Sequence, residues 1–477
     1  MNFGKCAFER RLIFELDSCR MRLCLRVNIM LRTLLKSLRE YKRTSILAVL
    51  LTITEVVFEI IIPSCMAYLI DFGIQLGAMQ TVFKYGAALL LFAIIQLLTG
   101  VFSSVTAAKA ASGFAANLRQ DMYNNVQTFS FSNIDKFSTS SIITRLTTDV
   151  TNVMNAYQML VKFAVRGPGM MVFAMIASFR ISKKISLIFL FMIPLLGLGI
   201  FLIISKVHPI FKSVFKTYDK LNNVVQENVR GVRVVKSFNR QQYEINKFET
   251  ISELIYKRFS KGERFITLMM PMAQLCIYTC MILVSWFGTR EIVASGNNAA
   301  LGLTTGSLMA LFSYASQIMM SLMMFSMVFV MITISRSSAD RIAEILNERP
   351  DITNPEHPVM EVKNGEIRFT NADFMYTADA DKKVIDNANL VIQSGETVGI
   401  IGGTGSSKTS FVQLIPRLYD VTSGSVSVGG VNVKDYDMKT LRDAVAMVLQ
   451  KNELFSGTVK SNLQWGNEHA SDADIAE

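Results

Sequence analysis

The sequence predicts an all-α membrane domain of six transmembrane helices that run on into the cytoplasm, followed by an α/β domain built on a phosphate-binding loop. Three observations carry this. The chain of 477 residues is 51% hydrophobic and only 18% charged, with a mean hydropathy of +0.34, a balance that excludes an ordinary soluble protein. Its apolar residues gather into six runs, each near the roughly 20 residues that cross a hydrocarbon core about 30 Å thick. Further on, Gly402-Gly403-Thr404-Gly405-Ser406-Ser407-Lys408-Thr409 has the spacing of a loop that cradles phosphate.

The runs fall at 46–70, 82–107, 157–179, 185–205, 266–287 and 308–332. Only Arg180-Ile181-Ser182-Lys183-Lys184 separates the third from the fourth, which makes them a hairpin. Short links also join the first to the second and the fifth to the sixth. Two long polar segments interrupt the series, Lys109 to Asn155 and Lys206 to Arg264, and both are rich in lysine and arginine. Basic loops stay in the cytoplasm, and the 71–81 link, which has no basic residue, is expected outside. Arg180, Lys183 and Lys184 oppose this topology and are outvoted by the longer segments. Inside those segments an apolar residue recurs every three or four positions, as at Leu118, Met122 and Val126, then Val225, Val229 and Val232. The spans are therefore expected to continue as helices beyond the membrane.

The net charge of +11 is accounted for by this topology, because the basic residues border apolar runs and form no separate patch. A lipid bilayer, not nucleic acid, is the expected partner. Ahead of the first span, Leu31, Leu34, Leu35 and Leu38 share one face, with Arg32, Lys36, Arg39, Lys42 and Arg43 interspersed. That pattern suits a basic amphipathic helix on the inner membrane surface, the alternative being a solvated face on a soluble helix. The residues before it hold Cys6, Cys19 and Cys24 without a cleavable signal pattern, and Met30 is the expected start. Cys65, Cys276 and Cys280 lie in apolar runs as plain buried thiols, and no spacing calls for a metal or a disulfide framework.

The domains are accordingly expected at 1–45 (basic segment and interfacial helix), 46–340 (membrane domain), 341–360 (linker, marked by Pro350, Pro355 and Pro358) and 361–477 (α/β domain). In the last, Glu366 to Phe369, Val384 to Val391 and Ser425 to Val428 read as strands beside turns such as Gly429-Gly430. Glu396 to Ile401 reads as a buried strand leading into the loop, and Ser410 to Ile415 as the helix that follows. Small residues let backbone N–H groups converge on phosphate oxygens, Lys408 pairs with the terminal phosphates, and Thr409 offers a hydroxyl to Mg²⁺. Ser407 stands where the pattern has glycine.

Two features inside the spans invite chemistry. Glu55 and Glu59 are four apart on one helical face of the first span. Two readings stand equally: contact with cationic substrates in a cavity, or pairing with groups on neighbouring helices. Arg166-Gly167-Pro168 reads as a structural breaker and interface anchor. The sixth span carries Met309, Met319, Met320, Met323, Met324, Met327 and Met331, which suit either a cavity for varied apolar molecules or plain packing surface.

These residues together resemble the exporter class of ATP-binding cassette (ABC) transporters, in the half-transporter layout, over nearly everything from Met30 to Glu477. Glu227-Asn228-Val229-Arg230-Gly231-Val232-Arg233-Val234-Val235-Lys236-Ser237-Phe238 is similar to the pattern before the second coupling helix. Asn133-Ile134-Asp135-Lys136-Phe137, followed by Ile143 to Val150, looks like the first coupling element. The resemblance implies an all-α six-helix transmembrane domain with long intracellular helices, then an incomplete α/β P-loop NTPase-type nucleotide-binding domain. It puts Tyr376 against adenine, Gly402, Gly403, Thr404, Gly405, Ser406, Ser407, Lys408, Thr409 and Ser410 around the phosphates, and Gln450 at the glutamine that senses Mg²⁺ and takes part in catalysis. The family's signature, acidic strand end and switch histidine have no counterpart in the given residues, so weak ATP binding without turnover by this chain alone is expected. The function implied is ATP-dependent export of amphipathic or drug-like molecules across the cell membrane, by a multidrug-type bacterial subunit paired with a second, different half-transporter. The alternatives are a catalytically inactive ATP-binding regulatory or scaffold subunit, or a truncated gene remnant.

Overall fold

The computed structural model describes residues 30, 32–298, 302–376, 382–448, 453–467 and 469–476. Gln450, Leu31 and the segment with Cys6, Cys19 and Cys24 lie outside the described residues. The helices run in the order α1 (Tyr41–Tyr68), α2 (Met79–Gln127), α3 (Phe131–Phe137), α4 (Thr139–Thr144), α5 (Val150–Ile181), α6 (Lys183–Ser237), α7 (Gln241–Thr267), α8 (Met269–Ser295) and α9 (Thr305–Asn347). There follow β1 (Ile367–Phe374), β2 (Ile385–Ile392), α10 (Lys408–Gln413), β3 (Ser423–Val428), β4 (Val431–Asn432), α11 (Met438–Ala444), α12 (Val459–Leu463) and α13 (Asp472–Ala476). The chain divides into two units. One comprises residues up to Tyr123 with Ile143–Asn347, the other Asn124–Ile142 with Glu348–Glu477.

In the first unit six helices among the described residues are long and apolar enough to span a membrane. Lipid leaves no solvent partner for backbone groups, so each span closes its own hydrogen bonds as a helix. The shared core joins Val56 and Ile60 of α1, Ala174 of α5, Phe189 and Leu196 of α6, Cys280 of α8 and Tyr314 of α9. Pro63 lies inside α1 and has no N–H for the carbonyl four residues back. Gln317 of α9 donates to that carbonyl, Glu59 O, at 3.4 Å, and the Tyr314 hydroxyl donates to the next, Ile60 O, at 2.9 Å. The helix before α1 packs by its buried Met30, Leu34 and Leu38, while Leu35 stays exposed. Ser37 Oγ donates to Asp121 of α2 at 2.6 Å, and Asn117 Nδ2 to Ser37 O at 3.0 Å.

Two sequence readings change here. Arg166-Gly167-Pro168 does not break its helix: α5 passes through Pro168 unbroken. Pro168 removes one donor, and apolar surroundings favour keeping the remaining helical bonds. Residues Arg341–Asn347, expected as linker, complete α9, with Ile342, Ala343 and Ile345 buried.

In the second unit, β2-β1-β3-β4 form an antiparallel sheet over a core of Phe369, Phe374, Val426, Val428 and Tyr436. Alternation holds from Ile367 to Phe369, then a bulge between Phe369 and Ala372 resets the register so that Ala372 and Phe374 also face the core. Gly424 serves the bulge. It has φ of +74°, and a Cβ there would lie 2.1 Å from Asn371 O. Phe369 stacks on Phe411 of α10 at 4.1 Å, which fixes the helix after the phosphate loop to the sheet. The segment Glu396 to Ile401 is not a buried strand: it pairs with no strand, and Val398, Ile400 and Ile401 are exposed. A strand needs ladder partners on its edges, and the described residues supply none to this one.

Candidate functional site

Lys408 opens α10 and folds back over the loop before it. Its Nζ donates to Gly402 O (2.8 Å), Gly403 O (2.7 Å) and Ser406 Oγ (3.1 Å). All three partners are neutral, and among the described residues no carboxylate pairs with this ammonium, so its full charge is left for an anion. Gly402 to Ser406 are exposed. A Cβ on Gly403 would meet nothing within 4 Å, so the backbone lies open to a bulky polyanion. Ser407 has φ of 62° and ψ of 16°, the left-handed region. Serine in place of the pattern's glycine therefore carries a backbone cost, about 1–2 kcal/mol for a non-glycine residue held there. Thr409 is exposed beside Lys408, its hydroxyl free to turn toward a metal on the phosphates. The residues present thus fit a nucleotide triphosphate.

Ser410, two residues on, is buried, and its Oγ shares a 2.8 Å hydrogen bond with the Tyr376 hydroxyl. That bond brings the expected base-stacking ring to the start of α10. Tyr376 follows β1 and is 47% exposed. Its ring meets Phe374 at 4.8 Å and Tyr419 at 5.2 Å, both edge-on, the latter at 90°. Asp373 anchors the end of β1: it accepts from Ser423 Oγ (2.6 Å), Asn387 N (2.7 Å) and Lys383 Nζ (2.9 Å). The Ser423 hydroxyl, the Asn387 amide and Lys383 together hold its carboxyl well below the usual carboxylate range. Gln450 lies outside the described residues. After it, Thr458 caps α12 through a reciprocal pair with Ser461, and Phe455 stacks on Trp465 at 4.3 Å.

One residue the sequence reading passed over, Tyr419, completes this neighbourhood, paired with Asp135 of the expected coupling element. Tyr419 is buried, and its hydroxyl donates to Asp135 Oδ2 of α3 at 2.6 Å. Phe131, also on α3, meets the Tyr419 ring edge-on at 6.0 Å. Burial first, and Asp135 second, push the Tyr419 hydroxyl far above its ordinary value, so it stays a donor. Arg417, at φ of 52°, holds Asp420 at 3.0 Å and carries the turn from which Tyr419 projects. A tyrosine three residues after the Pro416 turn was the available signal; its partner lies 284 residues away in sequence.

In the membrane unit, Arg166 bonds both predicted carboxylates, Glu55 and, at 2.8 Å, Glu59. Glu55 Oε2 and Gln317 Oε1 are buried without hydrogen-bond partners among the described residues. Glu55 also lines a groove of about 600 Å³ with Gln96, Leu97, Gly100, Ser104 and Lys162. The methionines of α9 divide, Met319 in the core and Met309, Met320 and Met327 exposed.

Comparison with known proteins agrees with both units. Residues 45–336 match the ABC transporter transmembrane region, and residues 385–477 match the ABC transporter family. An uncharacterized ABC transporter ATP-binding protein of Bacillus subtilis is 30% identical over 443 residues, 93% of this chain and 76% of that protein. A protein of the same description from Mycobacterium tuberculosis is 31% identical over 440 residues, 92% of this chain and 74% of that one. A putative export ATP-binding/permease protein of Rickettsia felis is 26% identical over 451 residues, 94% and 77% of the two chains. With six membrane-spanning helices fused to an ATP-binding domain on the cytoplasmic side, this multi-pass membrane protein belongs to the ABC transporter family as an exporter-type half-transporter.

Proposed function

We propose that this chain is one half of a dimeric exporter that expels amphipathic or drug-like molecules, with a second half-transporter subunit, a different chain, as its partner. ATP-driven transport follows from family membership; the pairing and the substrate class are the proposal. One observation carries it. The tip of the α6–α7 hairpin presents Val229, Phe238 and Tyr243 to solvent at 68%, 74% and 63% exposure. Apolar side chains gathered at such a tip need a protein surface to cover them. A molecule with an apolar body and a polar end fits the groove that joins Leu97, Val101 and Val105 to Glu55, Gln96 and Lys162. Glu55 and Glu59 then act on substrate only through exchange with Arg166. Gly402 to Ser406 with Lys408 hold the phosphates, Tyr376 stacks on adenine, and Thr409 with Gln450 hold Mg²⁺.

The test is ATP-dependent uptake of a fluorescent cationic amphiphile into inverted vesicles containing the chain and its partner. Lys408→Ala is expected to remove uptake, and Ser407→Gly to tighten nucleotide binding about fivefold or more by relieving the left-handed strain. Uptake that is indifferent to Lys408→Ala defeats the proposal. The strained Ser407 also favours a second reading, a subunit that binds ATP and regulates its partner. In that case Lys408→Ala alters the partner's ATP hydrolysis while uptake continues.

A further inference from the structure

The reading of Gly402–Thr409 and Tyr376 as a nucleotide site leaves unexplained what aims the Tyr376 ring. A half-exposed tyrosine has rotamers to choose from, and a ring that turns edge-on cannot receive a flat base. Among the described residues three contacts constrain it: the Ser410 hydroxyl at its tip, Phe374 on one edge, and Tyr419 at 90°. Ser410 and Phe374 belong to elements adjacent in the folded sheet and helix. Tyr419 is different. Its own ring is buried and its hydroxyl is held at 2.6 Å by a carboxylate from α3, an element of the membrane domain's first cytoplasmic loop.

We propose that Tyr419 is a positioning residue for the nucleobase, and that Asp135 of α3 sets the orientation of the base-stacking ring through it. The Tyr419–Asp135 bond is short and charge-assisted, the strong kind of neutral-to-anion hydrogen bond. Phe131, on the same helix, contacts the same ring, so α3 grips both the edge and the hydroxyl of Tyr419. α3 is itself well anchored: Asn133 donates to Glu348 Oε1 (3.0 Å) and Arg349 O (3.1 Å), and Ser132 to Asp351 Oδ2 (2.9 Å). The wall against which Tyr376 leans is therefore rigid while α3 is seated. When Asp135 lets go, Tyr419 loses the bond that fixes its tilt, and Tyr376 loses the perpendicular face that holds it ready. The consequence falls on the base and not on the phosphates, because among the described residues Lys408 bonds Gly402, Gly403 and Ser406 and forms no hydrogen bond with Asp135 or Tyr419.

The experiment uses the full chain in lipid nanodiscs and compares binding of ATP with binding of inorganic tripolyphosphate, which has the charges and no base. Tyr419→Phe keeps the ring and deletes the hydroxyl. Asp135→Ala deletes the acceptor, and Asp135→Asn keeps an acceptor oxygen. Tyr419→Phe and Asp135→Ala are each expected to weaken ATP binding about three- to tenfold and tripolyphosphate binding less than about twofold. Combined they are expected to cost no more than either alone, with Asp135→Asn restoring most of the loss. A merely structural role would move both ligands together or neither, and an unchanged ATP-to-tripolyphosphate ratio in both variants overturns the proposal. Should Tyr419→Phe fail to fold, Asp135→Asn against Asp135→Ala decides alone. Lys408→Ala separates the two levels of the argument: tripolyphosphate binding that survives it sinks the nucleotide-site reading itself.

Discussion

The two cytoplasmic loops of the membrane domain end in opposite conditions. The first closes in α3, whose Asn133 and Phe137 are buried and whose hydrogen bonds reach Glu348, Arg349, Asp351 and Tyr419. The second closes between α6 and α7, where Val229, Phe238 and Tyr243 are exposed. Among the described residues that tip has internal ties only, such as Asn228 to Glu244 at 3.2 Å and Lys247 to Glu227 at 2.9 Å. Both tips carry aromatic and amide side chains, so composition does not separate them. What separates them is the surface available: the first loop has its receptor within the same chain, and the second has an apolar face in want of one. In the proposed dimer the partner subunit supplies it.

Matched substitutions at the two tips sharpen this contrast. Phe137 is buried beside Phe129, with rings 6.0 Å apart. Phe137→Ala is expected to lower stability by about 3 kcal/mol through lost burial and the cavity left. Phe238→Ala is expected to change the stability of the isolated chain by less than about 0.5 kcal/mol, yet to weaken association with the partner subunit. Thermal unfolding in detergent reads the first effect, and co-purification of the two subunits reads the second. If Phe238→Ala destabilises the lone chain as Phe137→Ala does, the second tip already has a cover and the dimer argument fails.

The amide pair gives the next largest difference. Asn133 Oδ1 accepts from Ser130 N at 3.1 Å while its Nδ2 donates twice. Asn133→Ala is expected to cost about 2 kcal/mol, because buried donors and acceptors are left unmatched. Asn228→Ala gives up one partly exposed bond and is expected to cost about 0.5 kcal/mol. Smaller again are the ion pairs. Lys136→Met breaks a pair with the largely buried Glu348 and should cost about 0.5–1 kcal/mol, whereas Lys247→Met, whose partner Glu227 is 71% exposed, should be nearly silent. Equal losses at the two tips, in either pair, would erase the distinction.

The six spans and the sheet strands were legible in the sequence because each is a local pattern, as is the spacing of Gly402 to Thr409. Apolar runs need only length, strands need alternation, and the loop needs glycine and lysine at fixed spacing. The failures concern partners. Glu396 to Ile401 has the composition of a buried strand, but composition does not provide neighbours, and Ile401 is exposed. Pro168 looked like a breaker because its missing N–H is local, while the packing that keeps α5 continuous is not; a Cβ on Gly167 would sit 3.4 Å from Ser321 O of α9. Glu55 and Glu59 were recognised as a pair, but Arg166, which binds both, lies more than a hundred residues away, at separations of 111 and 107. Tyr419 escaped altogether, and Asp135 was read only as part of a coupling element, since neither is unusual until the fold brings them together.

The contact between Tyr419 and Asp135 yields the last prediction, one that vanishes at neutral pH. A tyrosine in an unfolded chain ionises near about pH 10. Burial and the Asp135 carboxylate push Tyr419 above that in the folded protein, so the folded state keeps a proton that the unfolded state gives up. Stability from this group is therefore complete below about pH 10 and declines as the pH rises beyond it. Tyr419→Phe has no such proton, so the difference in unfolding temperature between wild type and variant should be constant from pH 7 to about 9.5 and narrow above it. Asp135→Asn removes only the second of the two causes, and its curve should lie between the others. Parallel curves for wild type and Tyr419→Phe across that range would mean that α3 does not hold the Tyr419 hydroxyl in solution.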